Sequence, residues 1–219
     1  MLALSPFGDG APLRRVLAIG CHADDIEIGC GGTLLGLTRS NADVAVTWVV
    51  LGAEGEREAE ARASAEGFLA SAPAGEVIVL GFKDAYMPYR GEAVKDAFEE
   101  LKRFDPDLVF THTRADLHQD HRLACELTWN TFRDHLVLEY EIPKVDGDLG
   151  TPNVFVPLDE EHAREKVDRL LDAFATQRDK HWFDADVFLG LMRLRGMECR
   201  SSSGYAEAFF ARKLPVVLS

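Results

Sequence analysis

The stretch VLAIGCHADDIE, residues 16–27, decides the fold. Its first six residues form an unbroken apolar run of strand length, as expected for a strand covered on both faces. The next four, His22-Ala23-Asp24-Asp25, gather polar groups where that strand would end. Working outward, residues 31–39 open on glycines and carry Leu34, Leu35 and Leu37, which reads as a helix. Residues 44–51 are β-branched and predict a second strand. Residues 57–71 are rich in Glu, Ala and Arg, strong helix formers. A short strand over 77–80 and an amphipathic helix over 91–104 follow, the latter stopped by Pro106. A fourth strand over 108–111 and a helix over 120–131 complete the regular part. Strand and helix in strict alternation predict an α/β fold: Rossmann-like, three layers, α/β/α, with a mainly parallel sheet. Right-handed crossovers then place the loops after the strands along one edge, where ligands bind in open α/β sheets.

The pattern changes after about residue 137. Residues 138–142 and 154–156 predict strands around a loop rich in Pro, Gly and Asp at 143–152. Helices are predicted over 160–174 and 186–195, with a last strand in the tail, 205–218. No linker-like composition intervenes, so residues 1–219 read as one domain. About 1–135 form the core, and about 136–219 an extension that shapes substrate choice.

The net charge of −13 opposes binding to nucleic acid or anionic membranes. No segment approaches the roughly 20 consecutive apolar residues of a membrane span. The first 15 residues do not read as a secretory signal, which predicts a cytoplasmic protein. Cys21, Cys30, Cys125 and Cys199 form no CxxC pair and read as reduced thiols, mostly buried. Cys21 reads as a small apolar residue ending a strand rather than as a ligand.

In the first motif, His22 and Asp25 offer an imidazole nitrogen and a hard oxygen, a pair zinc accepts in open catalytic sites. Asp24 can face the same cavity without ligating and take a proton from water. Glu27 can orient His22 from behind. The competing reading is a helix N-cap, in which the Asp residues accept backbone N–H groups. Gly29, Gly31 and Gly32 do not match GxGxxG, and carboxylates occupy the turn where a pyrophosphate would sit. Those glycines read instead as close helix–sheet packing.

The second motif, His118-Gln119-Asp120-His121, opens a helix after the fourth strand. His118 and His121 can share one side of a first turn. One can complete a metal site with an open position; the other can polarise a carbonyl or protonate a leaving amine. Asp120 can fix one of these rings or simply cap the helix. His112 reads as a structural histidine, and His135, His162 and His181 lack partners at metal-binding spacing.

Together the two motifs resemble the PIG-L/LmbE-like family of N-deacetylases, which carries an (A)HPDDxE stretch and a later HxDH stretch. Residues 52–57, the pair Arg57 and Glu60, and the Leu-Gly-x-x-Asp stretch at 80–84 extend the likeness over about the first 135 residues. The resemblance implies His22, Asp25 and His121 as ligands of Zn2+, or of another divalent metal such as Fe2+. It implies Asp24 as general base and His118 as oxyanion stabiliser held by Asp120. Arg57 and Asp84 would contact a sugar. The implied reaction is removal of an N-acetyl or other N-acyl group from an N-acetylglucosamine-type sugar or its small-molecule conjugate, with metal-activated water as nucleophile. Ala23 stands where the family usually has proline. Two other readings carry less of the pattern. A divalent-metal phosphoryl or glycosyl transferase would favour oxygen ligands over the His pair. A non-catalytic metal-binding domain would need a fourth protein ligand, and neither motif offers one. Tyr140, Lys144, Asp146, Asn153, Arg178, Lys180 and Arg200 are the candidates for shaping substrate choice.

Overall fold

The structure, a computed structural model, describes residues 13–72 and 75–214. The opening apolar run is β1 (Arg15–Gly20), buried beyond its first residue. Val16 and Ala18 point into one hydrophobic cluster, Leu17, Ile19 and Cys21 into another on the opposite face. That two-sided burial is why the run is continuous rather than alternating. In chain order the elements are β1, α1 (Asp25–Ser40), β2 (Ala45–Val50), α2 (Glu56–Phe68), β3 (Gly75–Val79), α3 (Gly91–Leu101), β4 (Leu108–His112), α4 (Gln119–Thr131), β5 (Leu136–Tyr140), β6 (Val154–Leu158), α5 (Glu160–Ala173), α6 (Ala185–Cys199) and β7 (Tyr205–Phe210). Single 3-10 turns lie at Met87–Arg90, Lys102–Phe104 and Ala175–Gln177.

The sheet order is β3-β2-β1-β4-β5-β7-β6. The first five strands in chain order pair in parallel, and β7 joins β5 and β6 antiparallel. This is the expected three-layer α/β architecture. Residues of α1, α2, α5 and α6 cover one face; residues of α3 and α4 cover the other. The chain leaves β1 toward β2 and β3, then returns to β4 on β1's other side. The crevice beyond β1 and β4 is therefore the topological switch point of the sheet. Both polar motifs begin there.

Two expectations change. The first helix begins at Asp25, six residues before the glycine-led start predicted from sequence. The glycines do not break it, because they are contact points. A Cβ on Gly29 would lie 2.2 Å from the Tyr140 ring, and one on Gly32 2.6 Å from Leu158. The last strand ends at Phe210, within the predicted 205–218; residues 215–218 lie outside the described residues. No helix among the described residues is long and apolar enough to cross a membrane. All four cysteines are free, with Cys21, Cys30 and Cys125 buried.

Candidate active site

The two motifs converge. His22 leaves the end of β1, Asp25 stands in the first turn of α1, and His121 in the first turn of α4. His22 Nδ1 lies 3.3 Å from Asp25 Oδ2 and 3.1 Å from His121 Nε2. His121 Nε2 lies 3.5 Å from Asp25 Oδ2. Three donor atoms from segments a hundred residues apart thus form one small triangle. A tetrahedral ion with bonds of about 2.0–2.1 Å sets its donors roughly 3.3–3.4 Å apart, so the triangle fits one face of such a site.

The surroundings set the protonation this donor set needs. His121 Nδ1 lies 2.9 Å from Asp116 Oδ2, so Nδ1–H donates and Nε2 turns its lone pair inward. Burial, then the neighbouring His112, lowers the His121 pKa and so favours the neutral ring. Burial works against the Asp25 carboxylate, but His121, His112 and His22 outweigh it and hold its pKa well below the ordinary range. His22 shows the opposite balance. Burial opposes its charge, yet Asp25, Asp120 and Asp84 raise its pKa well above the usual value. Concentrated negative charge that stabilises a proton on His22 would equally favour a cation.

Asp24 occupies the N-cap position of α1 but makes no capping hydrogen bond, so the bland reading fails for it. Its buried Oδ2 has no hydrogen-bond partner. Arg57 Nη2 approaches that oxygen to 3.1 Å, an ion-pair contact outside hydrogen-bonding geometry. Burial raises the Asp24 pKa, and Arg57 works against that rise. Arg57 is itself fixed by Glu60, 2.9 Å away, and by the face of Phe174 at 5.0 Å.

The N-cap of α4 is His118, not Asp120 as the competing reading had it. Its Nδ1 accepts the Asp120 backbone N–H at 3.3 Å, leaving the ring proton on Nε2. Burial, then His121 and His22, lowers its pKa. The Asp120 carboxylate does not reach this ring, although the resemblance implied that it would. It accepts the N–H groups of Ala85 (2.7 Å) and Met87 (3.2 Å) and lies 3.4 Å from His22 Nε2. Asp84, three-quarters exposed at the rim, places Oδ1 3.0 Å from His22 Nε2.

Glu27 does not orient His22. Its position on α1 turns it toward α2, where Ser64 Oγ donates to Oε1 at 2.5 Å. His112 is buried as expected, yet it belongs to the site's wall. It stacks on His121 at 3.8 Å, and its Nε2 lies 3.2 Å from Asp25 Oδ2. Cys21, Asp25, His112 and His121 also bring one ligand atom each within 4.8 Å of one another.

A cleft of about 640 Å³ opens over these groups. Of the substrate-shaping candidates, Lys144, Asp146 and Lys180 line it, joined by Trp182. Tyr140 instead is buried, donating to Ile19 O at 2.6 Å, and Asn153 bonds the Ala211 backbone. Sequence reasoning missed Asp116. It also missed that Lys144 bridges Asp116 (2.9 Å) and Asp148 (2.5 Å).

With this geometry in place, comparison with known proteins is direct. The family described as PIG-L, GlcNAc-PI de-N-acetylase, matches residues 17–132, more than half of the chain. The chain belongs to this family. The matched span contains both PIG-L motifs and the whole donor triangle. The uncharacterized deacetylase YaiS of Escherichia coli (strain K12) is 29% identical over 169 residues, 72% of this chain and 89% of that protein. Among solved structures, the N,N'-diacetylchitobiose deacetylase from Pyrococcus horikoshii superposes with a TM-score of 0.72 at 21% identity, over 94% of this chain and 85% of that one. GalB, the 4-carboxy-2-hydroxymuconate hydratase from Pseudomonas putida KT2440, gives 0.70 at 17%, over 94% and 99%. At such identities the likeness shows the fold, and the fold alone carries more than one chemistry.

Proposed function

We propose that this chain is a divalent-metal-dependent N-deacetylase that hydrolyses the acetamido group of an N-acetylglucosamine-type sugar or its conjugate. The triangle of His22 Nδ1, Asp25 Oδ2 and His121 Nε2, with sides of 3.1–3.5 Å, carries the reading. Two imidazoles and one carboxylate suit zinc, and ferrous iron accepts the same set. Held there, the ion supplies Lewis-acid activation of water and of the acyl carbonyl.

The chain's own groups would do the rest. Asp24, with a buried oxygen free of hydrogen bonds, takes the proton from the attacking water and returns it to the departing amine. Arg57 keeps that carboxylate charged against burial and holds it toward the cleft. His118 donates its Nε2–H to the carbonyl oxygen as negative charge develops there. Asp84 at the rim and Arg57 would receive sugar hydroxyls. The lysines and tryptophan contributed by residues 141–182 would shape the choice of conjugate.

The test is metal content per chain after zinc reconstitution, for the natural protein and for His121→Ala, followed by acetate release from N-acetylglucosamine conjugates. The reading expects about one zinc per chain, lost in the variant, and acetate release that follows the metal. Equal metal in both proteins would sink the shared site, and a loaded protein releasing no acetate would sink the reaction.

A further inference from the structure

The loop that follows β5 forms one wall of the main cleft, through Pro143, Lys144, Val145 and Asp146. Its base and its tip are held by different parts of the molecule. At the base, the Gly150 N–H donates to Glu141 Oε1 at 3.1 Å. Arg195 Nη2 closes that clamp by donating to Glu141 Oε1 (2.7 Å) and to Gly150 O (3.0 Å). No group of the donor triangle takes part in it. At the tip, Gly147 takes φ 63° and its N–H donates to Lys144 O, a turn that sets Lys144 and Asp148 side by side.

Among the described residues, the hydrogen bonds and ion pairs that join residues 144–149 to other segments all run through those two side chains. Lys144 Nζ lies 2.9 Å from Asp116 Oδ2 and 2.5 Å from Asp148 Oδ2. Asp148 Oδ2 also accepts the Leu117 N–H at 2.7 Å. Asp116 turns both oxygens to the second motif: Oδ1 accepts the His118 N–H at 2.8 Å, and Oδ2 accepts from His121 Nδ1 at 2.9 Å. One carboxylate thus holds two histidines of the site and the ammonium of the loop. The side chains of Asp116 and Asp148 are 1% and 5% exposed, so water screens them little. Without Lys144 between them the two carboxylates would repel each other. Val145 and Leu149 are exposed and give the tip no apolar anchor that could replace the ion pairs.

We propose that Lys144 is a positioning residue that ties the cleft wall to the metal centre, so that filling the donor triangle and closing the loop stabilise each other. The contacts run from the loop tip through Lys144 and Asp116 to the His121 ring. With His121 Nε2 committed to an ion, the ring and the carboxylate behind it lose freedom, and Lys144 gains a fixed partner. In the other direction, Lys144 holds Asp116 where it orients the ring. By linkage, the factor by which the ion favours the closed loop is the factor by which loop opening weakens the ion's binding. The inference rests on the metal triangle proposed above and not on the identity of the acyl substrate.

The experiment follows backbone hydrogen exchange by mass spectrometry in metal-free and zinc-saturated protein, and measures zinc affinity by chelator competition. Exchange is read over residues 114–121 and over residues 143–150, with β1 and β2 as the check that each variant is folded. In the natural protein zinc should slow exchange in both segments. Lys144→Met removes the ammonium at similar length. It should confine the protection by zinc to residues 114–121 and weaken zinc binding by about tenfold. Lys144→Arg keeps the charge and should keep the protection of residues 143–150. Protection of 143–150 that survives in Lys144→Met, or an unchanged zinc affinity there, overturns the proposal. So does a Lys144→Arg protein that behaves like Lys144→Met. A natural protein that binds zinc yet leaves 143–150 unprotected removes the coupling and leaves the metal site standing. One that binds no zinc removes the metal site, and the coupling with it.

Discussion

At its first turn α1 carries Asp25 into a cluster of histidines and carboxylates; seven residues on, the same helix meets Glu207 and Lys166. The second cluster is closed. Lys166 Nζ lies 2.6 Å from Glu207 Oε1 and donates to Ile28 O at 2.7 Å. Glu207 accepts the backbone N–H groups of Gly32 and Thr33, so two side chains replace part of the helix's own ladder. Neither charged group is left without a partner. In the first cluster, Asp24 Oδ2 and His112 Nδ1 are buried without hydrogen bonds, and His22 and His118 line an open cleft. Burying polar groups costs free energy in both places. Where the fold needs only cohesion, the two buried charges meet each other; beside the cleft, an Asp24 oxygen without a hydrogen bond is available to a ligand.

Substitutions should separate the two clusters by what they damage. The largest effect is expected for Asp24→Asn, which keeps the shape and removes the base. Acetate release should fall by up to about 10⁴-fold while bound metal and thermal unfolding stay put. Unchanged turnover would remove Asp24 from the chemistry. Lys166→Ala should do the reverse. Stranding Glu207 in the interior should cost about 3–5 kcal/mol in denaturant unfolding, with metal bound as before in the folded fraction. A stable Lys166→Ala protein would show that the closed cluster is not a structural tie. Asp116→Ala should lie between these, loosening His121 and weakening metal binding by about 10- to 100-fold in a competition titration. Metal affinity equal to that of the natural protein would mean that Asp116 does not position the ring.

The same contrast explains what the sequence made legible. The β/α alternation was readable because strands buried on both faces become continuous apolar runs. The two motifs were readable because their polar groups interrupt such runs at strand ends. The start of α1 was not, since Gly31 and Gly32 read as the opening of the helix, whereas it begins at Asp25 and runs through them, packed against Phe68 and Leu158. Nor was the place of β7 between β5 and β6, a pairing made across the end of the chain. Asp116 escaped notice, as did its pairing with Lys144, because their meeting depends on how the loop after β5 folds back. The direction of the Asp120 carboxylate, toward Ala85 and Met87, depends on a turn some 35 residues earlier in the chain.

Glu27 lies between the two clusters and gives the finest test of the contrast. Its Oε1 accepts the Ser64 hydroxyl, and its Oε2 is buried without a partner. Burial drives its pKa up to about 8, with Ser64 working against the rise. The folded protein therefore holds a proton that the unfolded chain, with an ordinary carboxyl, has released. Between pH 4.5, the ordinary value, and about 8, the folded state binds more protons, so this group's contribution to stability falls as pH rises. Over any single pH unit in that window the loss is at most about 1.4 kcal/mol. Glu27→Gln, neutral at every pH, should flatten that slope in metal-free protein and become the more stable form toward the alkaline end. Parallel stability–pH curves for the two proteins would mean that Glu27 is ionised in the fold. It would then have a partner of its own and belong with the closed cluster.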